Sequence, residues 1–448
     1  MAAYDSKFLD ELYNVFEPFE PLQPGDPQYV DCREVRGDGD ILTDLGNKIR
    51  RSQHMTCQLY AGHRGAGKST ELLRLKEYLE QNKFLVVYFA ADEADIDAED
   101  AEYADILLAC TRHLLEDLKD IAKPDPLTEW LRGRWQELKD LALTEVTFES
   151  LSVESQISQF AKLTANLRAV PSLRRQIRDK INPHTVTLTQ ALNEFIAEAK
   201  KNLPKDCEKL AVIVDNLDRM APVPQDSGRT NHEEIFIDRS EQLRALDCHL
   251  LYTVPISLVY SSRSTDLRQI YSDTQVLPMI MVQNSDGTVN DAGVEKLTEI
   301  ITKRVERVAK TSLDSETLTT EIFDSAELLQ RLCLMSGGHV RNLLLLMQAA
   351  INRMSQLPIS KRAVQRAITE ARETYRRSVE HDEWEILAKV HRSKRIINED
   401  QVRHLLFNRC LLEYRDFDEE GELQPWCDAH PLIKNLPEFK EAIAALEK

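Results

Sequence analysis

Eight consecutive residues, Gly62, His63, Arg64, Gly65, Ala66, Gly67, Lys68 and Ser69, constrain the fold of this chain more than any other stretch. They fit the spacing G-x-x-x-x-G-K-S/T, and their flanks supply the context that the spacing needs. Residues 57–61 read as a buried apolar strand. Residues 68–81 read as a helix with Leu72, Leu75 and Leu79 on one face. Between strand and helix, the glycines let the backbone turn tightly and aim its N–H groups at an anion. The helix that opens there adds the positive end of its dipole. Lys68 can reach the β- and γ-phosphates of a nucleotide, and the Ser69 hydroxyl is placed to hold Mg²⁺, with Thr70 closing the stretch. The expected ligands are ATP and Mg²⁺. The competing reading is a glycine-rich turn with an incidental lysine, which the flanking strand and helix argue against.

The remaining chain reads as an α/β core with helical additions. Residues 84–91 form a second apolar strand, so strand, loop, helix and strand predict a parallel sheet with a crossover helix. Residues 210–214 read as a third strand, apolar throughout, as a strand covered on both faces is. A fourth lies within residues 250–260, broken by Pro255, and residues 276–282 are a candidate fifth. Residues 99–203 are mostly helical and look like an insertion, with Leu107, Cys110, Leu114 and Leu118, then Leu188, Leu192, Phe195 and Ala199, at helical spacing. Within it, residues 147–181 are polar and resist assignment. Residues 1–50 read as an extended arm with Pro18, Pro21, Pro24 and Pro27, leading to a short helix near residues 41–49. The chain turns all-helical from about Val294 to Glu373. In the last seventy or so residues, two short helices (384–390 and 401–408) precede a possible hairpin of residues 411–414 and 426–429. That is the sketch of a winged helix-turn-helix. The expected organisation is an arm (1–50), a core (51–290), a helical lid (291–378) and a winged-helix-like domain (379–448).

Three further segments carry candidate chemistry. Asp215 follows the third strand, where ligands of open α/β sheets bind, and can hold Mg²⁺ through water. Asn216 stands next, where an acid that polarises water would be useful; an amide orients a water but cannot take its proton. Asp218 is the nearest alternative acid, and the bland reading is that Asp218 and Arg219 cap or pair locally. Ser261, Ser262 and Arg263 mark the polar end of the fourth strand, where an arginine can approach a γ-phosphate or simply lie at the surface. Ser336, Gly337, Gly338, His339, Val340 and Arg341 open an apolar helix, and Arg341 on its first turn either reaches back to the nucleotide or faces solvent. The side chains of His63 and Arg64 are expected to face solvent.

Composition sets bounds on all of this. The 448 residues allow roughly two to four domains. An apolar fraction of 42% and a charged fraction of 29% are ordinary for a globular chain, and the net charge of −18 excludes a uniformly basic nucleic-acid surface. Asp5, Asp10 and Glu11 occupy the place of a secretory leader's basic start, and no apolar run is long enough to span a bilayer. The eight cysteines are scattered without a C-x-x-C pair, which predicts buried reduced thiols in a cytoplasmic protein.

Taken in order, these motifs resemble the STAND and AAA+ branches of the P-loop NTPases, over about residues 30–378. Gly62–Ser69 matches the Walker A motif and residues 210–215 the Walker B motif. The stretch Asp215–Arg219 is similar to KAP-type NTPases without their membrane insert. Ser261-Ser262-Arg263 resembles the sensor strand of STAND proteins, and Gly337-Gly338 with Arg341 the sensor-2 region of AAA+ initiators. Two departures stand out: no clean Gly-x-Pro motif in the lid, and Asn216 in place of the usual acid. Residues 30–37 sit where such families place an adenine-contacting arm. The resemblance implies a slowly hydrolysing, nucleotide-driven switch acting on protein partners, as in bacterial signalling or defence. It also implies homo-oligomers, with Arg239 or Arg268 as an arginine supplied in trans. The alternatives are a DNA-associated AAA+ ATPase using its winged helix on duplex, and a small-molecule kinase. Asp416, Asp418, Glu419, Glu420 and Glu422 on the wing would repel a phosphate backbone, which disfavours the first, and the lid and C-terminal domain are superfluous to the second.

Overall fold

The computed structural model describes residues 6–138, 153–225, 227–418 and 420–447. Asp5, Glu419 and the first part of the unassigned stretch at 147–181 lie outside them. The chain forms two compact units, one of residues 41–61 and 74–275, the other of residues 1–40, 62–73 and 276–448.

The 41–61/74–275 unit is built on the sheet. Its strands are β1 (Cys57–Gly62), β2 (Phe84–Ala90), β3 (Lys209–Asp215) and β4 (His249–Val254), and the short β5 (Gln275–Leu277) starts at its last residue; the strand order in the sheet is β2-β3-β4-β1-β5. The pairs β2/β3, β3/β4 and β1/β4 run parallel. Every residue of β4 is buried, as is β3 from Leu210 onward, as continuous apolar strands beneath helices should be. The fifth strand is shorter than its apolar run suggests.

Helices Tyr103–Leu118, Asp125–Leu138, Val153–Ala169, Pro171–Ile181 and Thr185–Lys201 fill the predicted insertion. Leu107, Cys110, Leu114 and Leu118 are buried there, and so are Leu188, Leu192, Phe195 and Ala199. The polar stretch that resisted assignment supplies two of these helices. It reads as polar because Arg174 and Arg178 are buried, where they bind Asp97, Asp100, Glu102 and Asp105. Desolvated guanidinium groups need such partners.

The other unit begins with a correction. The N-terminal arm is not extended throughout: Ser6–Val15 is a helix, with Leu9, Leu12 and Phe16 in one core cluster with Leu297, Ile301 and Val305. The prolines that suggested an extended arm start only at Pro18. The all-helical stretch comprises chiefly Asp291–Ala309, Ala326–Ser336, Val340–Ile351 and Lys361–Arg377. Helix Ala326–Ser336 stops at Gly337, in the left-handed conformation that favours glycine. Gly338 follows with φ +76°, and a Cβ there would lie 1.7 Å from the Ile280 carbonyl oxygen, so only glycine fits. Helices Glu383–Ser393 and Asp400–Phe407 precede the antiparallel pair β6 (Leu411–Phe417) and β7 (Leu423–Ala429). Leu411 opposes Ala429 and Tyr414 opposes Trp426, their rings stacked 4.5 Å apart. Helix, helix and hairpin are the elements of the winged-helix sketch, with the strands reaching further toward the turn than the sequence indicated.

Candidate functional site

The glycine-rich loop is best described by where its carbonyls go. A backbone that turns its N–H groups toward an anion must point its C=O groups elsewhere, and buried carbonyls need donors. Each carbonyl from Gly62 to Gly67 has one. Lys68 Nζ donates to the Gly62 oxygen at 2.8 Å and the His63 oxygen at 2.9 Å. His339 Nε2 lies 2.7 Å from the Arg64 oxygen, and the Arg341 N–H donates to the Gly65 oxygen at 3.2 Å. The Arg36 guanidinium donates to the Ala66 oxygen at 2.9 Å and to the Pro278 oxygen at 2.8 Å. Glu71 N–H closes the first helical turn on Gly67. The His339 assignment is self-consistent. Its Nδ1 accepts the Asn342 N–H as the helix N-cap, which leaves the proton on Nε2 to donate.

With the carbonyls tied back, helix Lys68–Gln81 presents its first N–H groups, which have no partners within the helix. Beside them, Gly67 has no heavy atom within 4 Å of where a Cβ would sit, whereas Gly65 is closed off by His339 and Arg341 at 2.7 and 2.8 Å. One flank of the loop is therefore packed and the other open, with the ammonium of Lys68, a 5% exposed residue, within the loop. This geometry fits the phosphates of a nucleotide. At the start of the same helix the Ser69 hydroxyl is an oxygen ligand of the kind that suits a hard cation such as Mg²⁺. Among the described residues no cluster of three or more His, Cys, Asp or Glu could hold a metal alone.

Other expected loop residues differ from the sequence reading. His63 does not face solvent: it is 1% exposed, and its Nε2 accepts the Glu413 N–H at 3.0 Å. Burial first, then the charges of Lys68 and Arg409, push its pKa down to about 3, so the ring is a neutral acceptor. Arg64 is half-buried, not a solvent-facing side chain. Thr70 Oγ1 accepts the Leu22 N–H at 3.1 Å. Arg341 reaches the loop through its backbone, while its Nε donates to the Pro18 oxygen and its guanidinium lies over Phe19.

In the sheet unit, Asp215 sits at the C-terminal end of β3, opposite Ala90 of β2, and is 1% exposed. Its Oδ2 accepts the Tyr88 hydroxyl at 2.8 Å and its Oδ1 the Asn216 N–H at 2.6 Å. Burial and the neighbouring carboxylate push the Tyr88 pKa far up, so the phenol keeps its proton and donates. Asn216 takes a left-handed conformation at φ 65°, which asparagine tolerates, and Leu217 N–H donates to Thr253 Oγ1 of β4. Asp218 is buried and Arg219 pairs with Asp92. Arg263 requires a correction of setting. Strand β4 ends at Val254, because Pro255 has no N–H for the ladder. Helix Ile256–Val259 then intervenes, so Ser261, Ser262 and Arg263 do not end a strand. The Arg263 guanidinium is bound by Asp238 at 2.8 Å and Asp266 at 3.0 Å. Arg268 pairs with Asp273, and Arg239 lies near Gln242.

The sequence reading missed Arg36, His339, Tyr88 and Glu413 as parts of these sites. Arg36 and His339 carried a local signal, Arg36 from its place in the segment at 30–37 marked for nucleotide contact and His339 from the Ser336–Arg341 motif.

No family model matches the chain, and no curated protein does. Among solved structures it is similar to Cdc6p from Pyrobaculum aerophilum, at 13% identity and a TM-score of 0.40, over 97% of this chain and 98% of that one. It is also similar to the Aeropyrum pernix ORC2 protein in its ADPNP–ADP complexes, at 12% identity and a TM-score of 0.41, over 99% and 97% of the two chains. A third likeness is to a Walker-type ATPase of Pyrococcus abyssi, at 13% identity and a TM-score of 0.40, over 97% and 100%. The functional reading rests on the loop and the strand end rather than on these likenesses.

Proposed function

We propose that this chain binds ATP with Mg²⁺, hydrolyses it slowly, and acts as a nucleotide-dependent switch on protein partners. The observation that carries the reading is the loop from Gly62 to Ser69, whose carbonyls are all engaged by donors of the chain itself. Such a loop is held ready for an anion before the anion arrives, so little ordering cost falls on binding. Lys68 supplies a positive charge to the phosphates, and the Ser69 hydroxyl is the loop's ligand for Mg²⁺. On the sheet, Asp215 is the acid suited to a magnesium-bound water, and hydrogen bonds from the Tyr88 hydroxyl and the Asn216 N–H orient it. Slow turnover follows from Asn216, which orients water without accepting a proton; Asp218 is the candidate base and Arg263 a candidate for stabilising transferred charge. A switch draws on the difference in nucleotide affinity between its two forms.

The partner is proposed to be protein rather than duplex DNA. The turn between β6 and β7 carries the exposed acids Asp418, Glu420 and Glu422, which oppose contact with a phosphate backbone. No helix among the described residues is long and apolar enough to cross a membrane.

The test is Lys68→Ala. Titration with a fluorescent ATP analogue and Mg²⁺ should show a loss of affinity of at least about 100-fold, as for removal of a charged phosphate contact in a desolvated site. Circular dichroism should stay unchanged. A variant that bound Mg²⁺–ATP like the wild type would overturn the proposal.

A further inference from the structure

The outer edge of strand β6 is not left to solvent. Glu413 opposes Cys427 across the hairpin, yet both its backbone groups serve partners outside the β6–β7 ladder. Its C=O accepts the Met279 N–H at 3.0 Å, and its N–H donates to His63 Nε2 at 3.0 Å. One residue further, the Tyr414 hydroxyl donates to the Gly337 oxygen at 2.8 Å, at the bend that places His339 and Arg341. The C-terminal hairpin is thus tied directly to the phosphate loop and to the helix start that supports it.

His63 faces two ways. Its ring accepts from the hairpin, while its own carbonyl accepts from Lys68 Nζ. The ring acts as an acceptor only while neutral, and burial beside two cations keeps it so. Lys68 is shared between the Gly62 and His63 carbonyls and any phosphate in the loop. An ammonium bonds more strongly to an anionic oxygen than to a neutral carbonyl. When Lys68 turns to phosphate it loosens its hold on the His63 peptide, and the ring moves with that peptide.

We propose that His63 is a positioning residue that couples occupancy of the phosphate loop to the β6–β7 hairpin through the Glu413 N–H. The proposal rests on the nucleotide-binding reading above and adds the route by which the C-terminal hairpin senses it. Linkage makes the route reciprocal: whatever displaces the hairpin changes nucleotide affinity by the same factor that nucleotide changes the hairpin.

Hydrogen–deuterium exchange of the full chain tests it, read on peptides spanning Leu411–Phe417 with and without Mg²⁺–ATPγS. In the wild type, nucleotide should speed exchange of the Glu413 amide by about tenfold, the effect of weakening one hydrogen bond. His63→Ala, or His63→Met if alanine does not fold, should lose that difference when each variant is compared empty and at its own saturating nucleotide concentration. His63→Gln, whose amide oxygen can accept the same N–H, should restore it. A merely structural histidine would not give a nucleotide-dependent difference that glutamine rescues. The inference is overturned if the wild type binds nucleotide with no change in this strand, or if the alanine or methionine variant keeps the change. If the wild type binds no nucleotide at all, it is the proposed function that fails.

Discussion

The phosphate loop and the acidic end of β3 are both buried polar turns after a parallel strand, yet they are held in opposite ways. Around Asp215 the partners are close at hand: the next residue's N–H, a tyrosine on the adjacent strand, and Thr253 on the other neighbour. The loop at Gly62–Ser69 is held from afar, by Arg36, His339 and Arg341. The strand end inherits its shape from the sheet, whereas the loop depends on residues far from it in the chain. The loop is therefore open to regulation, and the acid is fixed in place.

Four measurements would break or sharpen that contrast. The largest effect is expected from pH. Burial depresses the pKa of His63 and His430 to about 3 and that of His339 well below 6.5, all in the unit that holds the loop. His232 and His249, in the sheet unit, fall to about 4. Below pH 6.5 the unfolded chain binds protons that these native rings refuse, so stability falls with pH until each folded pKa is reached. At pH 5.5 the cost is about 1.4 kcal/mol per ring, hence about 4 kcal/mol for the three around the loop. Urea melts at pH 7.5 and 5.5 should show it, with amide exchange rising more in the loop's unit than in the sheet's. A pH-independent midpoint would mean that these rings are accessible to protons.

Gly65→Ala comes next. At φ +86°, with His339 and Arg341 under 3 Å from a new Cβ, it should cost about 3 kcal/mol and abolish measurable nucleotide binding. Thermal melting and the ATP titration read both. Arg36→Met keeps the bulk but leaves the Ala66 and Pro278 carbonyls without that donor. It should cost about 2 kcal/mol and weaken nucleotide affinity about tenfold. Unaltered affinity there would show that the loop keeps its shape without outside help. Tyr88→Phe should cost only about 1 kcal/mol, leave nucleotide affinity unchanged, and raise the Mg²⁺ concentration needed for turnover. A larger effect on affinity than that of Arg36→Met would reverse the contrast.

The same contrast explains what the sequence could reveal. Strand, loop and helix at residues 57–81, and the two apolar strands β2 and β3, are local patterns and were legible nearly to the residue. So were the buried positions of the inserted helices. The donors of the loop were not, because Arg36 lies 30 residues from Ala66 and His339 lies 275 from Arg64, with no periodicity linking them. His63 looked solvent-facing because neighbouring residues say nothing about a hairpin edge 350 positions away. Arg263 was placed on a strand because the apolar run continues past Pro255, while the ladder stops there. Helix Ser6–Val15 had its apolar spacing in plain view, but the prolines that follow it dominated the reading.

That distant support for the loop carbonyls bears on how far the motif can be moved. A fragment covering residues 41–275 would contain the whole strand–loop–helix pattern and would score as a nucleotide site in any search by pattern. It would lack Arg36, His339 and Arg341, and with them the donors for three of the loop's carbonyls. Those oxygens would be free to rotate toward the ligand and repel it. In this protein the signature and the binding site are separable: the eight residues are an address, and residues far outside them make it habitable.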